Sequence, residues 1–206
     1  MTQPLAGIKV LDFSTLLPGP MCTLILAEAG ADVIKLERAS GDEMRSYAPR
    51  FDDDSVNFVL LNRGKRSVCL DLKAEADREQ VLALVKDVDV VVEQFRPGVM
   101  QRLGLDYESL KALNPRLLYC SISAYGQSGP RSQEGGFDLT IQAMSGVMSV
   151  TGEAGGAPVK CGVPLADFAA GLYAAFAISA ALPQARATGR GAHIDVPMLG
   201  TTLAIA

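Results

Sequence analysis

The sequence predicts an α/β fold built on a doubly wound parallel sheet. Three observations carry this. Short β-branched runs alternate with runs of helical period from Ile8 to Ser123, which is the order of strand and crossover helix in such a sheet. Asp89 to Phe95 is a nearly unbroken β-branched run, as expected of a strand covered on both faces. Between the runs stand Pro and Gly at positions that start and stop helices. The chain has 206 residues, 49% hydrophobic and 20% charged, a globular composition that excludes disorder as a global description. At roughly 150 residues per domain, this length gives one large domain or two small ones.

The elements follow in order. Ile8 to Phe13 reads as a strand, Pro18-Gly19-Pro20 as a turn, Met21 to Ala29 as a helix and Asp32 to Leu36 as a second strand. Pro20 suits a first helical turn, where its missing N–H costs nothing, and Gly30 supplies a C-terminal stop. Glu37 to Asp54 is polar, with Gly41, Pro49 and three consecutive aspartates, and reads as a surface connection whose acids carry no catalytic weight. Alternation returns at Ser67 to Leu72. The segment Asp77 to Lys86 then places Val81, Leu82, Leu84 and Val85 on one helical face. After the Asp89 to Phe95 strand, Asp106 can cap a short helix ending before Asn114-Pro115, and Leu117 to Ser123 is the next strand. A polar loop from Tyr125 to Gly136 leads to an apolar helix from about Leu139 to Val147. Asp167 opens a long Ala-rich helix, Thr188 to Gly191 turns the chain, and Ala192 to Val196 reads as a strand before an apolar helical end from Met198 to Ala206.

Composition removes several function classes. The formal net charge is −4, without the broad basic field of sequence-independent nucleic-acid binding, so no nucleic-acid partner is expected. His193 is the single histidine, which rules out a multi-histidine metal site or a histidine relay; no metal site is expected, and acid–base work falls to carboxylates. Its strand context offers no catalytic partner, so a structural role is expected of it. Cys22, Cys69, Cys120 and Cys161 lie far apart among apolar neighbours with no C-x-x-C spacing, and read as reduced and buried. The N-terminal residues lack the pattern of a secretory signal. Phe168 to Ala185 is uncharged but Ala-rich and interrupted by Pro183, a buried helix rather than a membrane span. The expected compartment is the cytoplasm.

A nucleotide site is the first chemistry a strand–helix–strand opening suggests. The turn Ser14 to Pro20 carries one glycine where a dinucleotide fingerprint needs three, so the NAD reading fails even though Glu37 stands about where a ribose-binding acid would. Arg38, directly after the second strand, either forks onto a phosphate or is a solvated loop arginine. Basic residues recur beside later strands: Arg63, Lys65 and Arg66 before the third, Lys73 after it, and Arg96 and Arg102 after Asp89 to Phe95. Those at strand C-termini would share one rim of a parallel sheet, where a phosphate-bearing ligand can be held despite the negative net charge. Asp167 is the carboxylate that stands out, with no charged residue elsewhere between Lys160 and Arg186. Apolar surroundings raise a carboxyl pKa and its reactivity while a helix start favours the anion; an ordinary helix-capping aspartate is the alternative.

Taken together, these features resemble the class III CoA-transferases, the superfamily of formyl-CoA transferase, carnitine CoA-transferase and α-methylacyl-CoA racemase. The marks run through essentially the whole chain: Leu5 to Phe13, Pro18-Gly19-Pro20, Gly30 to Glu37, Asn62 to Ser67, Leu70 to Lys73, Val92 to Gly98, Leu113 to Arg116, Tyr125 to Pro130 and Thr188 to Gly191. The resemblance implies a Rossmann-type large domain and two subunits threaded as linked rings. Residues 1–206 would be the N-terminal CoA-binding large domain, incomplete at its C-terminus, with the family's small domain absent and an interlocked homodimer or a complementary C-terminal subunit completing the fold. It implies coenzyme A or an acyl-CoA as substrate, a carboxylic acid as acceptor and no tightly bound cofactor. CoA contacts carry over onto Leu17, Pro18, Arg38, Leu70, Asp71, Leu72, Lys73, Gln94, Phe95, Arg96 and Arg102, and the catalytic aspartate onto Asp167.

The implied reaction is transfer of CoA through an aspartyl anhydride and an aspartyl-CoA thioester on Asp167, with backbone N–H groups of glycine-rich loops stabilising the oxyanions. Two departures bear on the branch. Gly136-Phe137-Asp138 has Phe137 where the racemases carry a histidine, which removes one base of a two-base proton exchange. Leu17 stands where the formyl-CoA branch has glutamine, which puts oxalate or formate specificity in doubt. A transferase is therefore expected, with a racemase or isomerase, or an inactive CoA-binding fragment, as the alternatives.

Overall fold

Residues 3–206 are described by a computed structural model; Met1 and Thr2, part of the 1–206 domain expectation, lie outside the described residues. In chain order come β1 (Lys9–Asp12), α1 (Pro18–Glu28), β2 (Asp32–Glu37), a 3-10 turn (Glu43–Ser46), the hairpin strands β3 (Arg50–Phe51) and β4 (Asp54–Ser55), α2 (Val56–Asn62), β5 (Arg66–Cys69) and α3 (Glu75–Val85). There follow β6 (Val90–Glu93), α4 (Val99–Leu103), α5 (Tyr107–Lys111), β7 (Leu118–Ser123), α6 (Asp138–Met144), a 3-10 turn (Val147–Val150), α7 (Leu165–Thr188), β8 (Ala192–Pro197) and α8 (Met198–Leu203).

The main sheet runs β5-β2-β1-β6-β7-β8, with every neighbouring pair parallel. From β1 the chain winds outward through β2 to β5, then returns to the centre at β6 and winds the other way to β8. The reversal opens a crevice beyond the carboxyl ends of β1 and β6, the place where doubly wound sheets take their ligands.

Side chains alternate between two cores. Val10, Val33, Val90, Val92, Cys120 and Ile122 face one way, onto Cys22 and Leu26 of α1, Ile141 of α6 and Ala170, Ala174 and Ile178 of α7. Leu11, Leu36, Val91 and Tyr119 face the other, onto Val81 and Val85 of α3, Met100 of α4 and Leu110 of α5. The β-branched run thus does become a strand buried on both faces, with Val90, Val91 and Val92 wholly inaccessible. By length and apolarity α7 would suffice for a membrane span, but its small-residue face is part of the first core. A Cβ added at Gly171 would come within 2.8 Å of the Pro18 carbonyl oxygen, so glycine is what lets α7 lie directly on the start of α1.

Four expectations are corrected. The Glu37 to Asp54 connection is not simply surface: Glu37, Asp42 and Met44 are buried, because the segment folds back over the first turn. Cys69 is exposed and Cys161 half-buried, while only Cys22 and Cys120 are buried; Cys69 ends an edge strand. The third strand stops at Cys69, leaving Leu70 to Lys73 as a loop. Asp167 does not open its helix but lies in its first turn, two residues inside Leu165.

Candidate active site

Two cavities meet at the crevice. The larger, about 540 Å³, is lined by Arg38, Leu70, Asp71, Leu72, Lys73, Phe95 and Arg102, together with Phe13, Thr15 and Leu36. The smaller, about 270 Å³, is lined by Thr15, Leu16, Pro18, Gln94, Phe95, Arg96, Gly135, Gly136, Phe137 and Asp167. Thr15 and Phe95 border both, so the cavities share one wall. The sequence-predicted contacts therefore divide into a cation-rimmed compartment and one that holds Asp167. Leu17 borders neither cavity and serves as the N-cap residue of α1.

The rim of the larger cavity carries Arg38, which pairs with Glu43 at 3.0 Å, and Lys73 and Arg102, which have no acid within 4.0 Å among the described residues. Two of its acids are already engaged: Asp42 faces Lys35 at 2.9 Å and Glu37 takes Arg45 through both carboxylate oxygens. Burial would raise the Glu37 carboxyl, but Arg45, Ser67 and the Asp42 N–H hold it down to about 2. Glu37 is thus a structural acid rather than a ribose ligand.

The turn between β1 and α1 is held from beneath by side chains. Asp12 accepts hydrogen bonds from the Ser14 N–H (2.9 Å), the Ser14 hydroxyl and the Thr23 hydroxyl (2.5 Å), and faces Lys65 at 3.3 Å. Desolvation pulls the Asp12 carboxyl up, but Lys65, Lys35 and the two hydroxyls together hold it below the usual carboxylate range. Lys35 donates to the Ser14 carbonyl at 2.7 Å, and Asp42 accepts the Leu16 N–H at 3.2 Å. Gln94 accepts the Gly19 N–H at 2.9 Å and donates to the Thr15 carbonyl at 2.6 Å. Gln94 therefore borders the Asp167 cavity with its amide already committed to the turn. Sequence reasoning missed Lys35 and Asp42, because a lysine inside an apolar strand and an aspartate in a polar loop give no local sign that they meet.

Asp167 projects from the first turn of α7. Pro164 precedes that helix and has no side-chain donor or acceptor to cap it; Asp138 of α6 substitutes, accepting the Ala166 N–H at 2.8 Å and the Asp167 N–H at 3.3 Å. Gln142, one turn along α6 and fully buried, donates to Asp138 at 2.6 Å and accepts the Cys161 N–H at 2.8 Å. This tertiary cap fixes the Asp167 backbone and places a second carboxylate beside it. Burial, then the Asp138 charge, pushes the Asp167 carboxyl up to about 7. Gly135 and Gly136 line the same cavity; a Cβ on Gly136 would come within 2.9 Å of the Ala124 Cβ.

A family model described as CoA-transferase family III matches residues 5–206. The chain belongs to CoA-transferase family III. Among curated proteins it is 44% identical to a succinate–glutarate CoA-transferase of Agrobacterium fabrum, over 98% of this chain and 52% of that protein. It is 45% identical to an acetyl-CoA:oxalate CoA-transferase of Acetobacter aceti, again over 98% of this chain and 52% of the relative. A crystal structure of a CAIB/BAIF family protein from Brucella suis superposes with a TM-score of 0.95 at 42% identity, covering all of this chain and 56% of that one. The chain thus spans about half the length of the family III relatives it matches.

The remaining polar cluster of the sheet's carboxyl edge lies apart from Asp167. Glu93 at the end of β6 accepts the Phe95 N–H at 2.8 Å, and burial pushes its carboxyl up to about 7. Ser121 of β7 meets His193 of β8 at 2.9 Å, and the imidazole stacks on Tyr107 at 5.3 Å. His193 does have partners, supplied by neighbouring strands and α5 and invisible in its own strand; its pKa is lowered by burial. None of these groups borders the Asp167 cavity.

Proposed function

We propose that this chain is the CoA-binding large domain of an enzyme that moves CoA from an acyl-CoA thioester to a carboxylic acid, with Asp167 as nucleophile. The observation that carries the reading is the adjoining of two compartments: a larger cavity rimmed by Lys73, Arg102 and Arg38, suited to phosphates, and a smaller one holding a single desolvated carboxyl. In this reading CoA lies in the larger cavity and its thioester crosses the Thr15–Phe95 wall.

The Asp167 carboxylate attacks the thioester carbonyl; the C–S bond breaks and CoA leaves as thiolate, giving a mixed anhydride. The thiolate attacks the aspartyl carbonyl, releasing the first acid as carboxylate and leaving an aspartyl-CoA thioester. The acceptor carboxylate attacks that carbonyl and expels the thiolate again, which then takes the acceptor's acyl carbon and returns Asp167 as carboxylate. Each step exchanges one leaving group for one nucleophile, without net change in charge or protons. A carboxylate held near pKa 7 is a destabilised ground state, and its burial penalty vanishes when the adduct becomes neutral. Gly135 and Gly136 line the same cavity, and their backbone N–H groups are the oxyanion donors in this reading. Phe137 offers no second base, which disfavours α-proton exchange.

Exposed apolar residues on α7 and α6, Leu172, Phe176 and Leu139, support the further reading that a second copy in an interlocked homodimer, or a complementary subunit, packs here. We read the working compartment as cytoplasmic. The test of the mechanism is hydroxylamine trapping in the full-length protein with an acyl-CoA donor. A hydroxamate on the peptide containing Asp167 is expected, and none in Asp167→Asn; turnover retained by that variant overturns the assignment.

A further inference from the structure

The geometry points to Leu16 as the residue that sets the bulk of the acyl group admitted to Asp167: its side chain is a wall of the acyl compartment, so unbranched acyl groups are accepted ahead of branched ones. This rests on the reading of Asp167 as nucleophile.

Two described residues other than glycine have a left-handed backbone, Leu16 at φ 59° and Asp52 at φ 52°. Asp52 stands in the tight turn between β3 and β4, where a short polar side chain takes that conformation readily. Leu16 has no such local reason, since a bulky aliphatic residue is seldom left-handed. Tertiary contacts impose its conformation. Asp42 accepts its N–H at 3.2 Å, Lys35 donates to the Ser14 carbonyl at 2.7 Å and Gln94 donates to the Thr15 carbonyl at 2.6 Å. Lys35 and Asp42, both buried, are fixed in turn by their ion pair at 2.9 Å.

Core packing does not account for the side chain. Of the larger apolar groups around the Asp167 cavity, Ile122 and Met198 are buried in the first core, Phe95 packs on the second and Phe137 is mostly exposed. Leu16 is half-buried and, among the described residues, packs on neither core. It borders the cavity of about 270 Å³ that holds Asp167, and not the larger one rimmed by Arg38, Lys73 and Arg102. Its isobutyl group therefore takes space from the acyl side alone. Residues held in a strained backbone by their surroundings cluster where a ligand is shaped. A glycine here would relieve the strain and open the wall. An aliphatic wall selects by volume: one methylene too many in a fitted pocket costs roughly tenfold or more in kcat/KM.

The experiment uses the full-length protein with one carboxylic acid acceptor and two matched pairs of donors: butyryl-CoA with isobutyryl-CoA, and hexanoyl-CoA with tert-butylacetyl-CoA. Wild type should favour the unbranched member of each pair. Leu16→Ala and Leu16→Gly should both raise the branched-to-unbranched ratio of kcat/KM by about tenfold or more. Free CoA should bind both variants within about twofold of wild type, measured by calorimetry. Leu16→Gly should unfold at a higher urea concentration than Leu16→Ala, because only glycine relaxes the left-handed backbone. A wild type indifferent to branching, or a uniform fall in rate with the ratio unchanged, overturns the inference. So does a Leu16→Gly protein that is unfolded or less stable than Leu16→Ala, since Leu16 would then be a packing residue. Hydroxylamine trapping on the wild type runs alongside. If Asp167 is labelled and the ratio does not move, only the role of Leu16 falls; if the ratio moves while Asp167 stays unlabelled, Leu16 still bounds the acyl site and the nucleophile assignment falls.

Discussion

Replacing Asp167 with Asn should stabilise the folded chain above neutral pH while abolishing transfer. The carboxyl moves from its ordinary 3.8 up to about 7 on folding. A shift of about 3 units at 1.36 kcal/mol each is about 4 kcal/mol against the ionised form. Asp167 is only half-buried, so solvent relaxation reduces this to roughly 1–3 kcal/mol. The direction follows from proton counts: between the two pKa values the folded state holds a proton that the unfolded state has lost, so stability falls as pH rises. Below about pH 4 both states are protonated and wild type and variant should coincide. Their difference should open between pH 4 and 7 and stay constant above, in favour of Asn. Urea unfolding of both proteins from pH 4 to pH 8 measures it. A variant less stable than wild type at pH 8 would refute the reasoning, because it would mean that the helix N-terminus stabilises the anion more than burial and Asp138 oppose it.

Two further outcomes are expected. Glu93→Gln keeps an acceptor for the Phe95 N–H and removes a carboxyl pushed up to about 7 by burial; with the same sign as above, the variant should gain on wild type between about pH 4.5 and 7, by up to about 3 kcal/mol. Parallel unfolding curves across that range would count against it. Lys35→Met should lower stability by about 3–5 kcal/mol, because it strands the fully buried Asp42 carboxylate without a cation; Lys35→Met combined with Asp42→Asn should recover part of the loss in urea midpoint, and no recovery would show that the pair is not the source.

The sheet was legible because parallel strands buried on both faces write themselves as unbroken β-branched runs, as Asp89 to Phe95 does, and because Gly30 and Asp106 mark helix ends by local chemistry. Asp106 indeed accepts the Glu108 and Ser109 N–H groups at the start of α5. Asp167 was visible as an isolated carboxyl in apolar surroundings. Its partner was not: Asp138 lies 29 residues earlier, on another helix, and its capping of α7 depends on how α6 packs. The same limit explains Glu37 and Asp42. Their segment has the composition of a surface loop, and only its folding back brings Lys35 of β2 onto Asp42 and Arg45 onto Glu37. Local patterns report which face of an element is buried, whereas buried ion pairs arise between elements and leave no periodic trace.

The first turn shows what those pairs accomplish. A dinucleotide fold approaches its ligand through glycines, whose bare backbone needs little support. Here one glycine remains, and Leu16 adopts a left-handed φ of 59°, a conformation that costs a side-chain-bearing residue roughly 1–2 kcal/mol. It is held there by the Asp42 carboxylate on its N–H, by Lys35 on the Ser14 carbonyl and by Gln94 on Thr15 and Gly19. Lys35 and Asp42 are each about fully buried, and two desolvated charges are a poor source of net stability. What they supply is position: the turn they fix contributes Thr15, part of the wall between the two cavities, and Pro18, on whose carbonyl oxygen Gly171 of α7 packs. Since Asp167 lies one turn before Gly171 on that helix, the buried pair and Asp167 are joined by a continuous path of contacts from β2 through the first turn to α7. Softening the pair should therefore disturb the geometry at Asp167 along with the stability of the fold, although Lys35 touches neither cavity.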